Sequence, residues 1–284
     1  MCTTEESEEE EKEVVMTKSK GRKENAVHLL KKPSERSARA AEKRRLLLRF
    51  LRTEIYTTPG VAAEVMGVGT RGSQATVTSM EKAGLVRRHR FTLVPGSAPQ
   101  VVIGITTLGQ SHAFDPDAGE RTIDRVFHPE RYNLALLHHQ IILQQLRLHA
   151  EGFGMKEWLP GEMIRDIEKG SARPDSVLTT KNKVRVAVEV ERTLKSRKRY
   201  EQIFKNHIAA IQLKNWDHVV FVSPDVDTSK RVQSMLFEKI PPGIHLARDA
   251  KSYFSFTTRQ QFIAEVFRVD RKPDAPEIEV IEGL

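Results

Sequence analysis

The segment Val184-Arg185-Val186-Ala187-Val188-Glu189-Val190 places valine at every second position and is closed by Glu191. Valines in this pattern favour an extended backbone, because a β-branched side chain packs well on a pleated surface and loses rotamers in a helix. Alternation in a strand sends Val186, Val188 and Val190 to one face and Glu189 and Glu191 to the other. Upstream stands Arg173-Pro174-Asp175, at the head of a second expected strand, Ser176–Thr180. The turn Lys181-Asn182-Lys183 folds the two strands into a hairpin and brings Asp175 near Glu189. Lys195 follows four positions after Glu191.

The rest of the C-terminal half alternates helix and strand, which predicts a mixed α/β fold. A long amphipathic helix is expected over Leu134–His149. After the hairpin come a helix at Lys195–Leu213, a strand at His218–Val222, a helix at Ser229–Glu238 and a strand at Gly243–Leu246. A short strand at Tyr253–Thr257 and a helix at Arg259–Phe267 complete the pattern. Ser223-Pro224-Asp225 repeats a Pro-Asp pair, but no acidic strand follows it, so it reads as a turn.

The N-terminal half has a different rhythm. Residues 1–34 lack a hydrophobic period and read as a disordered charged tail. Ala40, Leu46, Leu47, Phe50 and Leu51 then recur at helical spacing. Thr58-Pro59 opens a short helix, Val61–Met66, and a second helix, Ser73–Ala83, is closed by Gly84. Leu85–Val94 and Val101–Thr106 read as a basic hairpin around the turn Pro95–Pro99. A linker at Asp115–Gly119 separates the halves. The expected division is therefore 1–34 tail, 35–118 first domain, 119–270 second domain and 271–284 tail.

Charge narrows the partners. The 284-residue chain carries a net +8, yet residues 1–13 hold seven glutamates and one lysine. The body is thus more basic than the total suggests, and a basic body predicts a polyanionic partner. The acidic tail either competes for that surface or keeps the protein dispersed. Cys2 is the only cysteine, which excludes an internal disulfide and a cysteine-built zinc site and predicts a cytoplasmic protein. No membrane-spanning run and no Walker-type loop are found, so neither membrane nor NTP is expected as a partner. No His-x-His pair occurs, and His138-His139 are adjacent on a helix and face different directions.

The acids suit a hard divalent cation. Mg²⁺ or Mn²⁺ keeps several waters, so Asp175, Glu189 and the Val190 carbonyl suffice to hold it. A lysine beside such a site offsets charge building on a phosphate. The competing description is an ordinary acidic hairpin whose carboxylates pair with Arg185, Arg192 or Lys183. Arg197, Lys198, Arg199 and Lys205 crowd the start of the following helix, where the macrodipole disfavours cations, so a phosphate backbone explains them better. Tyr200, in the same segment, either stacks on a base or packs inside.

Two resemblances organise these observations. Helix, helix-turn-helix and basic hairpin over about Arg44–Phe114, with the junction Met80-Glu81-Lys82-Ala83-Gly84-Leu85-Val86-Arg87-Arg88, resemble the winged-helix DNA-binding family. That likeness implies DNA contacts from Arg71, Ser73, Gln74 and Thr76 on the second helix and from Arg87, Arg88 and Arg90 in the wing. Pro174-Asp175 and Glu189 resemble the first two acids of the PD-(D/E)xK restriction-endonuclease-like superfamily, with its αβββαβ core. Glu191 stands where that superfamily usually has lysine, which shifts the lysine role to Lys195. An acid on a preceding helix is also implied; Glu162 is the candidate, with Glu157 and Glu168 as alternatives.

The two together, carried by Arg173-Pro174-Asp175, Val188-Glu189-Val190-Glu191 and Lys195-Ser196 with Arg199-Tyr200, resemble the replication-relaxation family, including MobC-type relaxases of mobilizable plasmids. The likeness implies metal-dependent nicking of double-stranded DNA at an origin of transfer or replication, in company with other relaxosome proteins. Asp175, Glu189, Glu191, Lys195 and Glu162 would carry the chemistry, and Arg197, Lys198, Arg199 and Tyr200 would touch DNA. Tyr132 and Tyr200 are the tyrosines to test as nucleophiles. The other class of function is a non-enzymatic DNA-binding accessory or regulator that retains a degenerate nuclease fold.

Overall fold

A computed structural model describes residues 32–92, 99–117, 125–164, 173–237 and 250–271. The tail before residue 32, the centre of the Pro95–Pro99 turn, Gly119, Glu168, the expected strand Gly243–Leu246 and residues after Arg271 lie outside them. The described residues form a mixed α/β structure with two sheets. No helix among them is long and apolar enough to cross a membrane. By compactness the chain divides into Met1–Leu46 and Leu47–Leu284, a boundary that falls within the first helix, α1 (Pro33–Glu54).

The first sheet has the order β1-β3-β2, with β1 at Tyr56–Thr57, β2 at Val86–Phe91 and β3 at Gln100–Ile105, all pairs antiparallel. Helices α2 (Pro59–Val65) and α3 (Thr70–Lys82) precede the hairpin, and α4 (Thr107–Ala113) follows it. Thr58 caps α2 through its hydroxyl, which accepts from Val61 N–H, and Pro59 occupies a first-turn position where no amide donor is missed. Gly84 closes α3 with φ at 72°, and Leu85 N–H then reaches Met80 O at 2.9 Å. This is the left-handed stop that glycine supplies without a Cβ penalty. Leu47, Leu51, Met66, Val77, Met80, Ile103, Ile105 and Phe127 fill the core below.

The second sheet has the order β4-β5-β6-β7-β8. Its strands are β4 (Glu157–Pro160), β5 (Ser176–Thr179), β6 (Arg185–Val190), β7 (His218–Ser223) and β8 (Phe254–Thr258). The first two pairings are antiparallel and the last two parallel. Parallel strands need crossovers, supplied by α6 (Arg197–Gln212) and α7 (Val226–Phe237). Helices α5 (Leu134–Gly152) and α8 (Phe262–Asp270) cover the other face. Val186, Val188 and Val190 lie with Ile142, Leu143, Leu146 and Phe262, whereas Ala187 lies with Tyr200, Phe204 and Val232. The alternation predicted for this strand is the one observed.

Several boundaries differ from expectation. The basic helix begins at Arg197 rather than Lys195, α7 starts three residues early at Val226, and α8 starts at Phe262 rather than Arg259. Asp225 explains the second shift. Its Oδ1 accepts from Thr228 N–H at 2.7 Å, and these hydrogen bonds hold its carboxyl below the usual carboxylate range. Two strands were not foreseen, β1 and β4.

Candidate functional site

Antiparallel pairing sets Ser176 opposite Val188, so Asp175, one step outward, arrives beside Glu189. Asp175 Oδ2 accepts from Val190 N–H at 2.7 Å, which fixes the carboxylate at the end of β6. Its other oxygen lies 3.0 Å from His139 Nε2 on α5. Glu189 turns toward α6, where His207 Nε2 stands 3.1 Å from its Oε1. His207 is fully buried, and its Nδ1 has no partner. A neutral ring protonated on Nε2 fits both facts, because it donates to Glu189 and leaves only a lone pair unsatisfied.

Glu191 is 1% exposed and pairs with Lys195 through one oxygen, while its Oε2 is buried without a partner. Burial drives the Glu189 carboxyl above its ordinary range; the His207 hydrogen bond opposes this and the neighbouring Asp175 charge adds to it. Burial likewise raises Glu191, against the pull of Lys195. Asp175, Glu189, Glu191 and Lys195 therefore come together at one end of the second sheet, as expected. His139 and His207 join them and were missed. His138 and His139, adjacent on α5, point apart, and the sequence around them carries no local sign that His139 meets Asp175.

Glu162 does not join this group. It lies in a 3₁₀ turn, Gly161–Met163, directly after β4 rather than on a helix, and pairs with Arg125 at the surface. Glu157 is on the edge strand β4, beside Thr179. Tyr200 is 0% exposed and cannot stack on a base. Burial, followed by the Glu191 charge, pushes its phenol up to about 12, which suits an anchor better than a nucleophile. Tyr132 packs edge-on against Tyr56 at 4.7 Å, beside the first core.

Among the described residues no group of three or more His, Cys, Asp and Glu side chains is gathered as a metal cage. The smaller donor set still fits a hard cation, which needs only one or two carboxylates and otherwise keeps water. The unpartnered Glu191 Oε2 adds a buried acceptor close by. Asp175 and Glu189, with the strand backbone at Val190, are the residues that would hold Mg²⁺ or Mn²⁺. Such an ion supplies a polarised phosphoryl oxygen or a more acidic water.

The basic surfaces divide into free and engaged groups. Arg197, Lys198 and Arg199 are exposed in the first turn of α6, with Arg197 3.7 Å from Glu201. On α3, Arg71, Gln74 and Thr78 line a groove of about 570 Å³ with Arg88 and Arg90. Ser73 is 2% exposed and shares the stripe Ser73-Val77-Met80, and it lines the floor of the same groove with Val77. Thr76 is half-buried and donates back to Gly72 O at 3.2 Å. Thr78, exposed on the same helix, lines the groove where Thr76 does not.

Arg87 and Arg88 are also held. Arg87 donates to Phe127 O and lies over that ring at 5.5 Å. Arg88 pairs with Glu81 and donates to Thr78 Oγ1 at 2.8 Å, which ties β2 to α3. Arg90 is exposed and makes no ion pair among the described residues. Comparison of this chain with protein-family models, with curated proteins and with solved structures finds no match, so the assignment rests on the geometry just described.

Proposed function

We propose that this chain is a DNA-binding, metal-dependent strand-nicking enzyme of the relaxase type, acting at a plasmid origin of transfer or replication. In this reading the first sheet with α2 and α3 is a winged helix. The order α5-β4-β5-β6-α6-β7 is the αβββαβ core of a PD-(D/E)xK nuclease. The observation that carries the reading is Asp175 set against Glu189 across β5 and β6, with Lys195 at the same strand end. Three acids and a lysine gathered at one end of the central strand carry a desolvation cost, and carboxyls perturbed in this way cluster at functional sites.

Each residue then has a task. Asp175 and Glu189 bind the cation; His207 orients Glu189 through a hydrogen bond, and His139 stands 3.0 Å from Asp175. Lys195, now paired with Glu191, is the cation nearest to where a phosphate would meet the acids. Arg71, Gln74, Thr78 and Arg90 offer contacts along the α3 groove, and the first turn of α6 offers three more cations.

The test is incubation of the full chain with supercoiled cognate plasmid and Mn²⁺. Nicked circles are expected from the wild type. Asp175→Ala should abolish them while DNA binding persists; equal loss of both would assign Asp175 to folding. A second reading, a non-enzymatic DNA-binding accessory or regulator, draws on one observation: Glu191 occupies the position expected of lysine and engages Lys195 internally. Unchanged plasmid with Mn²⁺ and intact DNA binding would favour it.

A further inference from the structure

We propose that Arg192 and Arg259 form a phosphate-binding subsite beside the carboxylate cluster, taking a phosphodiester of a bound DNA strand. The proposal rests on the nuclease reading for its ligand but not for its geometry. Parallel pairing sets Val190 level with Val222, and Val222 level with Thr257. Arg192, in the bend two residues past Val190, and Arg259, in the turn two residues past Thr257, leave the sheet at the same end. Two strand spacings separate them, about 10 Å between backbones. Two arginine side chains bridge such a gap with room for one tetrahedral anion.

Arg192 lies on the α5 side of the sheet. Arg192 continues the face of Val186, Val188 and Val190, and its Nη1 donates to Ala135 O in the first turn of α5 at 2.6 Å. Arg259 opens the turn directly after β8, whose Ser255 faces α8 and accepts from Arg268 at 2.9 Å. His139, on that same α5, meets Asp175.

Among the described residues no acid pairs with either guanidinium. Glu191 is taken by Lys195, and Asp225 spends both oxygens on Thr228. Arg259 makes no hydrogen bond or ion pair among the described residues, and it lies close enough to Arg192 for that charge to lower its proton affinity, after burial, the larger cause. Two cations held together without an anion repel, and an arginine pair offers the planar donor forks that match phosphate oxygens.

The experiment uses the full chain without divalent metal. Inorganic phosphate is titrated against sodium chloride at constant ionic strength while thermal unfolding is followed. Phosphate should raise the wild-type midpoint beyond chloride. Arg259→Met should unfold at a higher temperature than wild type without phosphate, because repulsion is relieved, and should lose most of the phosphate-dependent rise. Arg192→Lys, which keeps a donor for Ala135 O, should also weaken that rise.

In parallel, plasmid binding in EDTA is measured against salt. Arg259→Met should lower the slope of log K on log salt by about 0.9, the value for one released phosphate contact. Phosphate acting no better than chloride overturns the subsite. A phosphate effect with an unchanged slope overturns the phosphodiester assignment and leaves a site for free anion. Failure of the wild type to nick plasmid with Mn²⁺ would sink the nuclease reading separately, since neither arm depends on cleavage.

Discussion

Gly161 is the residue whose side-chain absence most directly protects the acid cluster. It opens the turn after β4, and its N–H donates to Asp175 O at 2.8 Å. A Cβ built there would sit 2.1 Å from Pro174 O and 3.0 Å from Asp175 O. Both obstacles are backbone, so no rotamer change relieves them. The β5 segment that carries Asp175 must retreat by about an ångström before Gly161→Ala can be accommodated. Overpacking of this kind costs about 1–3 kcal/mol, and the weakened hydrogen bond adds about 1 kcal/mol. For a domain of this size that lowers the unfolding midpoint by roughly 5–10 °C. A misplacement of that length at a reacting centre costs on the order of 100-fold in rate. The assays are thermal unfolding, Mn²⁺-induced stabilisation and plasmid nicking, with Gly60→Ala as control. Gly60 has nothing within 4 Å of its would-be Cβ, so alanine there should stabilise by about 0.4–1 kcal/mol. Gly161→Ala with a wild-type midpoint and wild-type Mn²⁺ response would refute the argument that this turn positions Asp175.

Other substitutions test separate parts. Lys195→Met strands the buried Glu191 carboxylate and should destabilise by about 1–3 kcal/mol, below the fully buried range because Lys195 is 35% exposed. Glu191 has a raised folded-state pKa, so its penalty is absent below the unfolded carboxyl value and grows as pH rises through the folded one. Denaturant midpoints should therefore show the Lys195→Met deficit at neutral pH, shrinking as pH falls, and Glu191→Gln should rescue it; a pH-independent deficit contradicts this. Arg90→Ala should reduce the salt slope of DNA binding by about 0.9 at an unchanged unfolding midpoint. Arg88→Ala should instead lower the midpoint, because it removes the tie between β2 and Glu81. Gly104→Ala places a Cβ 2.1 Å from the buried Phe127 ring, so it should destabilise by about 1–3 kcal/mol, read by urea unfolding.

The valine strand, its hairpin partner and the Asp175–Glu189 meeting were legible because period-two alternation and a short turn are local. Strand β4 was not, since Glu157-Trp158-Leu159-Pro160 is too short to show alternation and draws its pairing from Leu178 and Val177. Arg87 read as a phosphate contact because its true acceptor, Phe127 O, lies 40 residues away. His139 and Arg259 depend on helix docking and on register across two strands, neither of which a linear pattern carries. Tyr200 could be read either way from sequence, and its full burial in the core with Phe204 decides for packing.

Helix α5 contributes Leu137 to the first core and Ile142, Leu143 and Leu146 to the second. Along the same helix, Arg147 and Gln140 hold the buried Glu54 carboxylate, and Gln144 is bonded to Thr57 and Tyr56 O. The two halves of this unit thus share a wall. Severing the backbone between Asp117 and Arg125 should leave the fragments associated, whereas an N-terminal fragment ending before Leu134 would expose Leu47 and leave Glu54 without its counter-charge. A boundary drawn at the linker, natural to the eye in sequence, would divide what folds as one.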